Sequence, residues 1–162
     1  MSPKLVELEI EDLAFDGKSV GRLDGKVVFC KGGLPGERVL AEITRSKPRY
    51  NQAVVREILR PSELRIPARC SHVNICGGCT WQDLAYGQQL IFKQDQVRQC
   101  LERIGKLEDV RVHDVVGSPD QFTYRNKMEF SFNAAEDGGF TLGLHERGRW
   151  DRTPYQREVV RK

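Results

Sequence analysis

The alternation of apolar and polar residues over the first 60 positions predicts a series of short β-strands. LVELEIEDL (5–13) alternates apolar and acidic residues, as a strand with one buried face does. Residues 15–43 then alternate glycine-containing turns with β-branched runs, and two Asp-Gly pairs in this stretch are typical of hairpins. NQAVVREIL (51–59) closes the series before Pro61. About five strands with evenly spaced turns predict a small closed barrel of the OB type.

Beyond the barrel, the pattern predicts an extended connector, one helix and a hairpin. Prolines within residues 60–70 block a helix there. Apolar residues then recur at helical spacings and predict an amphipathic helix that ends near Gly105; they are Leu84, Leu90, Ile91, Val97, Leu101 and Ile104. From residue 110 strands return, and MEFSF (128–132) predicts a hairpin with one buried side. The predicted fold class is mainly β with one helix.

The predicted organisation has three parts. An OB-like barrel occupies 1–60, a cysteine-containing segment with the helix and a partial central domain occupies 61–152, and a divergent tail occupies 153–162. The 162 residues suffice for one mid-sized domain or two small ones. The apolar runs are too short for a membrane span and the N-terminus lacks a secretory signal, so we expect a cytoplasmic protein.

Charge is distributed unevenly, although the net charge is only +3. The first 16 residues hold five acids and one lysine, whereas basic residues gather around 44–50, 124–127 and 145–152. Such clusters are often solvated surface. Because aromatic residues (Tyr50, Tyr124, Trp150) interleave with all three, a polyanion-binding face is the more informative prediction.

The stretch CSHVNICGGC (70–79) predicts a metal site. Cys70, Cys76 and Cys79 have the spacing C-x5-C-x2-C, and clustered cysteines in a cytoplasmic protein are more often metal ligands than disulfides. Two occupants fit: a [4Fe–4S] cluster with a fourth ligand elsewhere, or zinc with His72 as fourth ligand. The crowded spacing favours iron–sulfur modestly, and three unligated cysteines remain the third alternative.

The other two cysteines are predicted to pack as small apolar residues. Cys30 ends the run VVFC in the barrel, and Cys100 lies on or near the apolar stripe of the helix.

Three motifs in order carry a resemblance to a known family. They are the barrel stretch GKSVGRLDGKVVFCKGGLPGERV (17–39), the Gly-Gly-Cys-x-x-Gln core (77–82) followed by a helix, and YRNKMEFSF (124–132) followed by LGLHERGRW (142–150). Over residues 4 to about 152 the chain is similar to the S-adenosylmethionine-dependent RNA uracil-C5 methyltransferases of the 23S rRNA and tRNA type. These have an N-terminal TRAM barrel.

The resemblance implies a division of labour. In that family the TRAM barrel and the cluster-bearing domain grip RNA, and a C-terminal Rossmann-like domain binds S-adenosylmethionine and carries a nucleophilic cysteine and a carboxylate base. We find no such domain in this chain, so no catalytic residue is assigned and we expect the chain to be inactive alone. The family's fourth cluster cysteine follows the LGLH strand, where this chain reads WDRTPYQREVVRK without a cysteine. A truncated or frameshifted product, or a fragment, is the expectation.

The resemblance also implies RNA contacts at six residues: Lys47, Arg49 and Tyr50 on the barrel, and Arg125, Asn126 and Lys127 at the head of the hairpin. For the last three, a solvated strand start is the alternative. The expected partners are RNA with a single-stranded or loop uridine and a separate catalytic domain, and the chain is expected to be a monomer. Two other hypotheses stay open: a standalone RNA-binding module stabilised by iron–sulfur or zinc, and a non-functional remnant.

Overall fold

The computed structural model describes residues 4–73, 75–134 and 139–147. The chain divides into two compact units, Met1–Pro67 with Asp83–Gly117, and Ala68–Gln82 with Ser118–Lys162. Trp150 and the predicted tail at 153–162 lie outside the described residues. No helix in the described part is long and apolar enough to cross a membrane. The predicted domain limits at residues 60 and 152 stay a prediction.

The first unit contains a closed five-stranded barrel, as the sequence predicts. Its strands are β1 (Lys4–Leu13), β2 (Ser19–Leu23), β3 (Lys26–Lys31), β4 (Arg38–Ser46) and β5 (Tyr50–Arg60). Neighbours around the barrel follow the order β1-β2-β3-β5-β4. All pairs are antiparallel except β3 with β5, which run parallel.

The barrel core is built from alternate residues of four of the five strands, which confirms the period-two prediction. Its buried members are Leu8, Ile10, Val28, Cys30, Val39, Ala41 and Ala53. Cys30 is fully buried, as predicted. Burial raises the pKa of its thiol to about 11, so Cys30 is protonated at neutral pH and packs as an apolar side chain.

A buried ion network joins the barrel to the connector that follows it. In the turn Leu34–Glu37, Gly36 has φ +86° and the fully buried Glu37 carboxylate accepts a hydrogen bond from the Leu34 N–H at 2.8 Å. Arg65 donates to both oxygens of Glu37, at 2.6 and 3.0 Å, and also binds Asp83. Because the Ile66 N–H donates to the Asp83 carbonyl at 2.9 Å, the chain leaves this unit and returns to it at adjacent points.

The predicted helix forms, but only part of its apolar stripe is buried: Leu84, just before the helix, is fully buried, whereas Leu90 and Leu101 are half-buried. Helix α1 (Tyr86–Gln99) continues as a π-helical turn, Cys100–Ile104. Ile91, Val97 and Ile104 are 50%, 46% and 80% exposed. The prediction that Cys100 belongs to a packed core is wrong, since its side chain is only half-buried. The physical reason is that no element described by the structure covers the side of the helix that carries Ile91, Val97 and Ile104, which stays in solvent.

Two glutamines of the helix form hydrogen bonds to neighbouring segments of the same unit. Gln96 donates to the carbonyls of Leu13 and Ala14 at 3.2 and 3.1 Å. Gln94 donates to the carbonyl of Val112 at 3.3 Å. An irregular segment therefore runs beside the helix at 110–117, where the sequence predicts a strand, and no strand forms there.

The helix ends at Gly105 as predicted, although the geometry differs from a common glycine cap. Gly105 has φ −69° and the left-handed residue is Lys106, at φ +54°. Glycine is required because a Cβ at position 105 would lie 2.6 Å from the Leu101 carbonyl oxygen. The π-helical turn brings these backbone atoms close together.

The second unit contains the predicted hairpin in a shorter form. Its strands are β6 (Ser131–Ala134) and β7 (Phe140–Gly143), with Phe132 opposite Leu142. Phe132 and Phe140 share one face and are 72% and 80% exposed, so the prediction of a buried side is wrong within the described residues. Residues 128–130 precede the strand and do not extend it.

Candidate nucleic-acid interface

The outer surface of two parallel barrel strands carries an aromatic pair. Cross-strand register places Val27 beside Tyr50, Phe29 beside Gln52 and Lys31 beside Val54, and these six side chains form the β3–β5 face. Phe29 and Tyr50 are half-buried, with ring centroids 5.6 Å apart and ring planes inclined at 77°. Both side chains of this edge-to-face pair remain partly exposed on the outer wall of the barrel.

Cations surround this aromatic pair. Lys31 is exposed at one end of the face, and Arg45 of β4 pairs with Gln52 in register. Lys47 and Arg49 lie in the β4–β5 loop (residues 47–49), which is closed by a hydrogen bond from the Lys47 N–H to the Tyr50 carbonyl at 2.9 Å. Within the described residues none of these four cations forms an ion pair. Their charge is therefore available to a polyanion.

The outer side of β1 is electrostatically different, because its acids are paired with arginines. The partners are Glu7 with Arg38 at 2.5 Å, Glu9 with Arg60 at 3.3 Å, and Glu11 with Arg22 at 3.4 Å. Each pair is exposed and cancels its own charge. The arginines on this side therefore offer a polyanion little unpaired positive charge.

The β1–β2 loop adds one exposed aromatic ring and one paired lysine. Phe15 is 78% exposed. Lys18 forms an ion pair with Asp16. Burial raises the pKa of Asp16, but hydrogen bonds from the Lys18 side chain and backbone outweigh that effect, and the pKa is lower than its usual value. Lys18 is thus less available than the four unpaired cations.

Three of the predicted RNA-contacting residues meet at one site on the barrel. OB-type barrels bind oligonucleotides through strands 2 and 3 and through the loops 1–2 and 4–5. Lys47 and Arg49 occupy the 4–5 loop, and Tyr50 begins β5. Sequence reasoning missed Phe29 and Lys31. The signal was available, since a buried Cys30 in VVFCK forces both of its neighbours to point outward.

The other three predicted contacts lie in the second unit and are not at the start of a strand. Arg125, Asn126 and Lys127 are exposed in an irregular segment that ends before β6 begins at Ser131. Lys127 forms an ion pair with Glu129 at 3.0 Å, and Arg125 contacts the Met128 sulfur at 3.9 Å. The prediction that they head the hairpin is wrong in position, because the strand starts four residues after Lys127.

The cysteine loop (Ala68–Gln82) is closed by the glutamine of its motif. The Gln82 side chain accepts a hydrogen bond from the Cys70 N–H at 2.7 Å and donates to Cys79 Sγ at 3.6 Å. The Gly78 N–H donates to Cys76 Sγ at 3.3 Å. N–H groups directed at sulfur stabilise thiolate charge, which is the chemistry that a metal-bound cysteine requires.

A short backbone bridge packs this loop against residues 145–147. The Gly77 N–H donates to the His145 carbonyl at 2.9 Å, and the Arg147 N–H donates to the Ile75 carbonyl at 2.8 Å. A Cβ at Gly77 would lie 3.1 Å from the His145 oxygen, and one at Gly78 would lie 2.9 Å from Leu144 Cδ1. The paired glycines are therefore required by close approach of the second segment.

The predicted metal ligands match a metal site in donor type but not in arrangement. Cys70 and Cys76 are half-buried and Cys79 is exposed, while Cys70 Sγ lies 3.9 Å from His72 Nδ1. Among the described residues, no three His, Cys, Asp or Glu side chains are placed so that they could hold one metal ion. The iron–sulfur and the zinc occupant therefore stay predictions.

Comparison with known proteins identifies the barrel. The TRAM domain family matches residues 4–55. Residues 4–55 are a TRAM domain. The chain is 40% identical over 141 residues to the 23S rRNA (uracil(1939)-C(5))-methyltransferase RlmD of Bordetella parapertussis, covering 86% of this chain and 30% of that protein. It is 35% identical over 147 residues to an uncharacterized RNA methyltransferase of Caldanaerobacter subterraneus, covering 91% and 32%.

A solved structure of an RNA (uracil-C5)-methyltransferase is also similar to this chain. The crystal structure of Pyrococcus abyssi tRNA (uracil-54, C5)-methyltransferase in complex with S-adenosyl-L-homocysteine matches with a TM-score of 0.57 and 26% identity, over 91% of this chain and 31% of that one. This chain with its TRAM domain therefore spans only about a third of the length of these proteins. The predicted resemblance is confirmed: over most of its length the chain is similar to about a third of the length of RNA (uracil-C5)-methyltransferases of the rRNA and tRNA type.

Proposed function

We propose that this chain is the RNA-binding N-terminal portion of an RNA uracil-C5 methyltransferase acting on rRNA or tRNA. The observation that carries the proposal is the β3–β5 face, where an aromatic pair lies among four unpaired cations. Lysine and arginine neutralise phosphates, and aromatic rings stack on bases whatever their sequence. Two findings support RNA as the polyanion. The barrel matches the TRAM domain family, and the relatives are named as rRNA and tRNA methyltransferases.

In this proposal the transfer chemistry belongs to the part of the relatives that this chain does not span. S-adenosylmethionine binding is assigned to that part as well, and no residue between 4 and 147 is given a catalytic role. What these residues supply is affinity and orientation, by which a bound uridine is held for attack elsewhere. Binding energy used in this way raises the rate through positioning.

We also propose that Cys70, Cys76 and Cys79 hold a [4Fe–4S] cluster. Zinc with His72 as fourth ligand is the second candidate. The hydrogen bonds from Gly78 and Gln82 to cysteine sulfurs support thiolate ligation. When bound, such a group would cross-link the three cysteines and so stabilise the fold of the cysteine loop.

Metal analysis of anaerobically purified protein tests this second proposal. About four iron and four sulfide ions per chain, with brown colour, support the cluster. Cys76→Ala is expected to abolish iron binding, whereas Cys100→Ala is the matched control and keeps it. Stoichiometric zinc in a colourless protein contradicts iron–sulfur, and a protein without bound metal contradicts both occupants.

The proposal further assigns the chain to the cytoplasm as a monomer, with RNA as its partner. Light scattering coupled to size-exclusion chromatography checks the monomer. A mass that doubles with concentration contradicts it.

A complementation assay tests the main proposal. The chain is mixed with the separately produced C-terminal two-thirds of a relative, and transfer of a labelled methyl group from S-adenosylmethionine to rRNA is followed. We expect no transfer with this chain alone, and transfer above the background of the C-terminal part when both are present. RNA binding without any stimulation favours the alternative, a standalone binding module. Failure to bind RNA contradicts both.

A further inference from the structure

We propose that the β3–β5 face is a stacking platform selective for single-stranded RNA, on which Phe29 and Tyr50 each take one base. This inference rests on the proposed RNA-binding function and specifies the nucleic acid that the barrel accepts. It assigns a binding role to Phe29 and Lys31, which the sequence motifs do not single out.

The angle between the two rings selects the form of RNA. Phe29 and Tyr50 are inclined at 77° with centroids 5.6 Å apart. Bases within a helix are parallel and separated by about 3.4 Å. Two bases that stack on these two rings must therefore be turned away from each other and unstacked. A single strand or an open loop reaches this arrangement, whereas a duplex would have to be disrupted.

The cations lie where the backbone of such a strand would pass. Val27 and Tyr50 mark one end of the face and Lys31 marks the other, four residues further along β3, which is about 13 Å. Arg49 and Lys47 precede Tyr50 in the β4–β5 loop. Phosphates on both sides of the two stacked bases thus meet unpaired positive charge.

Neighbouring barrel strands set the border of the platform. On the β2 side, Val20 lies beside Phe29 and Arg22 lies beside Val27 in register. Arg22 already pairs with Glu11 at 3.4 Å. Since Arg22 is already paired at this border, the favourable path for a strand runs along β3 and β5.

Fluorescence anisotropy with the full chain tests the platform. The probes are a labelled uridine-containing 12-nucleotide single strand and a blunt duplex of the same sequence. We expect the single strand to bind at least about 10-fold more tightly than the duplex. We expect Phe29→Ala and Tyr50→Ala each to weaken single-strand binding by about 5- to 150-fold, the range that loss of one stacking contact causes.

Matched variants separate stacking from folding. Phe29→Leu keeps apolar volume but removes the flat ring, and we expect a loss of at least about 5-fold. Tyr50→Phe keeps the ring and should bind within about 2-fold of the parent chain. Arg38→Ala, on the opposite side of the barrel, should also stay within about 2-fold. Thermal unfolding of each variant confirms that it is folded at the assay temperature.

Three outcomes have distinct meanings. Selective single-strand binding that depends on both rings supports the platform. Equal affinity for single strand and duplex, or full affinity in the folded Phe29→Leu and Tyr50→Ala variants, overturns it while leaving the proposed RNA-binding function intact. Absence of binding to either probe overturns the proposed function itself.

Discussion

Replacing Arg65 with methionine is expected to destabilise the barrel unit strongly. Arg65 hydrogen-bonds both carboxylate oxygens of Glu37, at 2.6 and 3.0 Å, and binds Asp83. The Glu37 side chain is 0% exposed and that of Asp83 is 8% exposed. The hydrogen bonds with Glu37 are the largest effect on the pKa of Arg65, which is raised although burial opposes the charge. Removing the guanidinium leaves two carboxylates buried without their cation.

Breaking one partner of a buried ion pair costs about 3–5 kcal/mol, and small domains have only about 5–15 kcal/mol in total. Equilibrium urea unfolding, followed by circular dichroism, measures the loss. The matched control is Arg38→Met, since Arg38 bonds Glu7 at 2.5 Å but both side chains are more than half exposed. The control should lose less than about 1 kcal/mol. An Arg65→Met variant that loses no more than the control would refute the reasoning.

Three further predictions concern buried or strained positions. Because burial raises the pKa of Cys30 to about 11 from 9.0, the unfolded thiol ionises first as the pH rises. The parent chain should therefore lose up to about 2–3 kcal/mol relative to Cys30→Ala between pH 8 and 11, and parallel stability profiles from urea unfolding would contradict this. In metal-free native protein at pH 8, a thiol reagent should modify every cysteine except Cys30, and rapid modification of all five would show that the core is open. Gly36→Ala should lower the free energy of unfolding by about 1–2 kcal/mol because φ is +86° at this position. Gly87→Ala, in open space on α1, should raise it by up to about 1 kcal/mol. Thermal unfolding measures both, and equal shifts would contradict the strain argument.

The barrel was predictable because each of its strands has one buried face. That arrangement imposes period two on the sequence, as in LVELEIEDL, and the turns carry their own signals. Asp24 and Gly25 both have positive φ, at 50° and 78°, which is the turn that an Asp-Gly pair favours between strands. Because the local pattern and the local geometry agree here, the sequence was sufficient to predict the barrel.

Other features depend on contacts between distant residues, which a local pattern does not contain. Glu37 and Arg65 are 28 positions apart, and the local sequence around either residue does not indicate that their side chains meet. The helix shows an apolar spacing, yet this spacing does not indicate that Gln96 donates to backbone carbonyls more than 80 residues away. Phe29 could be placed outward by alternation, but its pairing with Tyr50 requires the parallel register of β3 with β5.

The candidate site was predictable in part for the same reason. Lys47, Arg49 and Tyr50 are adjacent in sequence and form part of one surface. The cysteine spacing identifies donors, but the position of Gln82 and of residues 145–147 around them is a tertiary property. The strand expected to start near Arg125 begins only at Ser131, and residues 128–130 lie outside the hairpin.

The salt dependence of RNA binding tests the central claim most directly, because it counts the phosphates that the barrel contacts. The affinity for a uridine-containing single strand is measured from about 50 to 300 mM salt for the parent chain and for a variant with Lys31, Arg45, Lys47 and Arg49 changed to alanine. For single strands each phosphate contact contributes about −0.7 to the slope of log K against log salt, so the variant's slope should be shallower by about 3. Identical slopes for the two proteins, or no measurable binding at 50 mM salt, would contradict the assignment of the β3–β5 face and its cations as the RNA-binding surface.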